Sequence, residues 1–164
     1  MMSDRQTLIS WLNDAYAMET ALIPILENHA KDARAFPAIE AKDREHAAQT
    51  RQQAERIKGC LERLGEQPSK VKTALGSLFG HLQAPATGLF GDELIKNFLM
   101  DYATENFEIA CYEALSIAAD QLGEPEIAAV CREIQQEEQQ MADWIRNNLP
   151  GVVREYIRTA AAAR

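Results

Sequence analysis

The sequence predicts an all-α fold. Four long stretches repeat apolar residues at steps of three and four, and none shows the period-two alternation of Val, Ile and Thr that a sheet requires. The gaps between stretches are short, long and short in turn, which predicts two antiparallel hairpins joined by a crossover. At 164 residues the chain can close one core without staples, so residues 1–164 are expected to form a single domain.

The first helix, over about residues 4–30, opens at Ser3 or Asp4, either of which can cap free N–H groups. It places Leu8, Trp11, Leu12, Ala15, Leu22, Ile25 and Leu26 on one side, and Pro24 predicts a kink. Pro37 suits the first turn of a second helix, over about residues 37–64, which stops at Gly65. Residues 65–91 hold five of the eight glycines and two of the six prolines, so residues 66–91 read as the crossover. Asp92 is expected to cap a third helix, over about residues 92–122, ended by Gly123. Pro125 restarts a fourth, over about residues 125–147, with Glu124 and Glu126 at its positive end. It is expected to stop near "NNLPG", leaving residues 150–164 as a helical tail without an obvious core face. A four-helix bundle with one long connection is the arrangement of ferritin-like folds.

Composition narrows the function classes. The formal charge of −8, from 25 acidic and 17 basic side chains, argues against a surface built to neutralise nucleic-acid phosphates. No stretch approaches the roughly 18 apolar residues of a membrane span, and the N-terminus lacks an unbroken apolar run, so no membrane partner is expected. Cys60, Cys111 and Cys131 have no CxxC spacing and sit among apolar neighbours, which reads as buried free thiols in a reducing compartment. A cytoplasmic protein is expected.

The informative residues are polar ones on apolar stripes. Glu105 and Glu108 fall on the stripe made by Phe98, Tyr102, Ile109, Tyr112 and Ala119. Glu138 lies on the stripe of Ile134, Met141 and Ile145, and a reversal at Gly123 sets it level with Glu108. Glu19 interrupts "AYAMETALIPIL", and the first hairpin sets it opposite the stretch from Gln49 to Gln53. There the second helix presents His46, Thr50 and Gln53 inward. All four helices thus deliver a carboxylate or carboxamide at one height: Glu19, Gln53, Glu105 with Glu108, and Glu138. Glu137 is expected to point outward, and His29 and His81 to face solvent. Carboxylates gathered in an apolar core repel, so they hold protons or a cation neutralises them, and a hard multivalent ion suits them best. Inward Glu residues from four helices build the di-iron and di-manganese sites of ferritin-like proteins, usually with two Glu-x-x-His pairs. This chain has neither pair: Met141 stands three after Glu138 and Arg56 three after Gln53.

These residues resemble the YciE/YciF family of bacterial ferritin-like proteins over nearly the whole chain. The matching pieces are "DAYAMETAL" with Glu19, "HAAQTRQQAERI" with His46, Thr50 and Gln53, "ENFEIACYEAL" with Glu105, Glu108 and Tyr112, and "EIQQEEQQMADWI" with Glu138. The third is the most specific, since the Glu-x-x-Glu-Ile-Ala-x-Tyr pattern is intact. The resemblance implies a homodimeric bundle, a stress-associated role and a carboxylate-rich two-metal centre that includes a Gln. Members tend to carry an Asp four residues after the Glu matching Glu138; here that position is Ala142 and the acid falls at Asp143, which would weaken the hold on metal if that Asp is a ligand.

The leading expectation is a redox protein binding two iron or manganese ions that react with oxygen or hydrogen peroxide, as a ferroxidase or a peroxide-consuming enzyme. Glu108 and Glu138 are the expected ligands from one hairpin and Glu19 and Gln53 from the other, with Glu105 bridging or movable. His46, Thr50 and Tyr112 are expected beside the metals rather than on them. The competing expectation is a non-catalytic helical module that oligomerises or binds a partner and has no working metal site; the missing Glu-x-x-His pairs favour it.

Overall fold

The computed structural model describes residues 4–69 and 92–162. Four helices account for almost all of them: α1 (Asp4–Asp32), α2 (Pro37–Arg63), α3 (Glu93–Gln121) and α4 (Pro125–Ala162). The α1–α2 and α3–α4 hairpins each pack closely, α1 lies against α3, and α2 lies against α4. Residues 70–91, most of the expected crossover, lie outside the described residues, as do Ser3 and His81.

Local chemistry accounts for the helix ends. Pro37 sits in the first turn of α2, where its missing N–H costs nothing. Gly65 and Gly123 follow α2 and α3 with φ of 76° and 73°. Each closes a Schellman motif: the Glu66 amide donates to the Leu61 carbonyl at 3.0 Å and the Glu124 amide to the Ala119 carbonyl at 2.9 Å. Nothing lies within 4 Å of a Cβ added at Gly123, so the left-handed backbone alone selects glycine there. Gly123→Ala should therefore destabilise the protein by about 1–2 kcal/mol, readable in urea unfolding. Asp92 precedes α3 without capping it through its side chain, which instead pairs with Lys96 at 2.8 Å.

Two apolar clusters fill the bundle. The first takes Leu8, Leu12, Leu22 and Leu26 of α1, Ile57 and Leu61 of α2, Leu115 of α3 and Ile127 and Ile134 of α4. The second joins Ala33, Ile39, Leu94, Phe98, Met141, Ile145 and Val152. On α3 and α4 the inward polar residues fall between the two: Glu105 and Glu108 after Phe98, and Glu138 between Ile134 and Met141.

The structure corrects several expectations. The fourth helix does not stop at "NNLPG": α4 continues through Pro150 to Ala162, absorbing the tail. Pro150 and Arg146 are exposed, so water can meet the Arg146 carbonyl that the proline leaves without a donor. Beyond it, Val152 is 8% exposed in the second cluster, which gives the extension an apolar anchor. α1 reaches Asp32, a little beyond the expected end near residue 30, with Pro24 inside it. Trp11 is not in the core but 43% exposed, on the edge of the α1 stripe. Cys60 and Cys131 are buried free thiols, whereas Cys111 is half-buried. Burial pushes the Cys60 and Cys131 thiols up to about 11 and about 12, which keeps them unreactive. No helix among the described residues is long and apolar enough to cross a membrane.

Candidate metal centre

The layer between the clusters is polar and sealed. Glu19, Gln53 and Glu138 are 0% exposed and Glu105 and Glu108 1%. The spacing on each helix explains why: these residues occupy the inward face of long helices whose neighbours one turn away are core residues, so folding the apolar stripes buries them too. All five sequence-derived candidates are buried in this layer, and His46, Thr50 and Tyr112 are buried with them.

The hydrogen bonds follow one pattern. The Tyr112 hydroxyl donates to Glu19 Oε1, while Glu19 Oε2 has no partner. His46 Nε2 lies 3.0 Å from Glu105 Oε1, and Glu105 Oε2 has no partner. Gln53 Nε2 donates to Glu138 Oε1, and both Glu138 Oε2 and Gln53 Oε1 have no partner. Glu108 Oε1 is also unpaired, as is His46 Nδ1. Each of three carboxylates is thus held by one oxygen and leaves the other open.

Electrostatics makes the arrangement costly without a cation. Burial is the largest influence on all four carboxyls and holds each well above the usual carboxylate range. Mutual repulsion adds to it: Glu138 acts on Glu19, and Glu19, Glu138 and Glu105 act on Glu108. His46 and the Tyr112 hydroxyl pull the other way on Glu19. Burial and the neighbouring Glu19 push the Tyr112 phenol up as well, so it stays a donor.

The donor set fits a hard divalent or trivalent ion. Unpaired carboxylate and carboxamide oxygens, with one imidazole at hand, are the ligands that such ions prefer. His46, Glu105 and Glu138 each offer a ligand atom within 4.8 Å of the others, and His46 Nε2 is 4.0 Å from Glu138 Oε2. His46 therefore stands within the layer, beside Glu105 and Glu138. Thr50 donates to the His46 carbonyl at 3.0 Å, which uses its hydroxyl on its own helix. Ala142 is core, and Asp143 is turned outward against Arg146 at 3.3 Å, so it does not replace the missing Asp.

Comparison with known proteins agrees with this architecture. The model of a domain of unknown function, DUF892, matches residues 3–158. The chain belongs to the DUF892 family. This DUF892 chain is 31% identical to a protein of Xanthomonas campestris pv. campestris, with a TM-score of 0.84, covering 97% of this chain and 99% of the other. It also superposes on the Escherichia coli stress protein YciF at 22% identity and a TM-score of 0.81, covering 94% and 99%. The likeness extends to the bacterioferritin of Desulfovibrio desulfuricans, a protein with a diiron site, at 19% identity and a TM-score of 0.75, covering 97% and 87%. The DUF892 fold is thus a YciF-type ferritin-like bundle.

Sequence reasoning missed two groups in this DUF892 chain. Glu137 is not simply outward: its Oε2 accepts from Gln53 Nε2 at 3.0 Å and from Arg56, tying it to the layer. His29 does not face solvent either; its Nδ1 lies 2.9 Å from Asp101 Oδ1. Buried Asp43 completes a second acidic group, where burial first and then the Asp101 charge raise its carboxyl to about 7. Asp43 stands three before His46 and Asp101 four before Glu105, so helical spacing already put both on inward faces.

Proposed function

We propose that this chain holds two iron or manganese ions in the polar layer and serves redox chemistry on oxygen or hydrogen peroxide. One observation carries the reading: buried, unpaired ligand atoms converge from all four helices. The diiron site of the bacterioferritin with the same fold supports it. Glu19 and Gln53 would hold the ions from the first hairpin, and Glu108 and Glu138 from the second. Glu105, between His46 and Glu138, is suited to bridge or to move.

Bound there, the ions would supply a one-electron redox couple. The protein does the rest. Tyr112 and Gln53 fix Glu19 and Glu138 by one oxygen each, so that the open oxygens are presented without further ordering. His46 Nε2 is placed to take the proton that Glu105 gives up as a cation binds. The two apolar clusters exclude water on either side.

Elemental analysis after anaerobic reconstitution with ferrous or manganous ions tests the reading. About two ions per chain are expected in the wild type, against none in the Glu108→Ala, Glu138→Ala variant. A wild type that retains no metal would instead support the non-catalytic helical module.

A further inference from the structure

A sealed centre needs a way in. Among the described residues, one run of hydrogen bonds leads from the polar layer to solvent. Gln53 Nε2 donates both to Glu138 Oε1 inside and, at 3.0 Å, to Glu137 Oε2 further out. The Glu137 side chain is 26% exposed and also accepts from Arg56. Arg56 Nη1 in turn lies 3.7 Å from Glu133 Oε2, whose side chain is 67% exposed. On the other sides of the layer the bonds end on buried groups: Tyr112 on Glu19, and His46 on Glu105.

From this geometry we infer that Glu137, with Glu133, is a capture site for divalent cations moving to the centre, and that Arg56 is the counter-ion they displace. This rests on the proposed metal centre. The acidic pair alone would be an ordinary solvated face. What marks it as a route is the fully buried Gln53 behind it, whose Oε1 has no partner while its amide nitrogen touches both the outer and the inner carboxylate. A cation that displaces Arg56 from Glu137 finds next the open oxygens of Gln53 and Glu138, so it exchanges one oxygen ligand for another along the way. Arg56 must swing aside to release Glu137, and its partly exposed side chain gives it the room. Until it moves, it neutralises Glu137 beside the acidic layer.

Stopped-flow loading of the full chain with cobalt(II), followed by the cobalt d–d absorption, tests the assignment. Glu137→Gln should slow uptake about tenfold and weaken its salt dependence, with the same final cobalt per chain. Arg56→Gln should speed uptake by about threefold to tenfold, since the competing charge is gone. An unchanged rate in Glu137→Gln overturns the capture site. A lower final cobalt content in that variant overturns it differently, by making Glu137 a resident ligand. An Arg56→Gln rate at or below wild type removes the counter-ion role. If the wild type takes up no cobalt, the metal centre itself fails together with this route, whereas full wild-type loading with unaltered variant rates defeats the route alone.

Discussion

Glu108→Gln should make the metal-free protein more stable at neutral pH while removing its ability to hold metal. Glu108 is 1% exposed, and its Oε1 has no partner. Burial, then Glu19, Glu138 and Glu105, hold its carboxyl well above the usual range. A carboxyl raised in the folded state contributes full stability below its unfolded value, and that contribution is lost as pH rises through the folded one. A neutral amide of nearly the same shape escapes the loss. The expected gain is about 1–3 kcal/mol at neutral pH, the usual cost of a buried polar group left without a partner, and it should vanish near pH 4. Urea unfolding of the chelator-treated proteins measures it. A variant less stable than wild type at neutral pH would mean that Glu108 is compensated by groups within the protein, and the case for a cation would lose its main support.

The second large effect belongs to Asp43. This side chain is 3% exposed and close to the His29–Asp101 pair. Burial raises its carboxyl to about 7, with Asp101 adding and His29 and His46 opposing. His29 is raised as well: burial is the largest influence and works against its charging, but the bond to Asp101 together with the charges of Asp101, Asp43 and Asp32 outweighs it. The signs agree. Asp43's contribution is complete below its ordinary value of 3.8 and is lost as pH climbs to about 7. The contribution of His29 is complete below 6.5 and is lost above that, through its raised folded value. Asp43→Asn should therefore match wild type near pH 4 and exceed it by up to roughly 4 kcal/mol above about pH 7, in metal-free protein. A pH series of urea midpoints gives the difference directly. A constant offset between the two curves would place Asp43's carboxyl at its ordinary value.

How much of this was legible in the sequence follows from what a helical repeat encodes. The face of a helix is written in its period, so Glu19, Gln53, Glu105, Glu108 and Glu138 could be placed inward and, through the tight turns at Phe36 and Gly123, at one level. The third helix shows the limit. The same period puts Asp101 inward, but His29, its partner, sits near a helix end, where spacing does not distinguish a surface histidine from a buried one. Glu137 was misread because an outward Cβ does not fix where a long side chain ends; Gln53 and Arg56 draw its carboxylate back toward the layer. Pro150 carried a stop signal that burial of Val152 overrode, a tertiary contact that local propensity does not contain. Trp11 lies on the edge of a stripe, where a small helix rotation decides between core and surface.

Anomalous diffraction from crystals loaded with manganese or iron, collected at the metal's absorption edge, tests the central claim most directly. The account predicts two peaks roughly 3.5–4 Å apart among Glu19, Gln53, Glu105, Glu108 and Glu138. Loaded crystals with no peak in the polar layer, or with metal only at His29, Asp43 and Asp101, would contradict it.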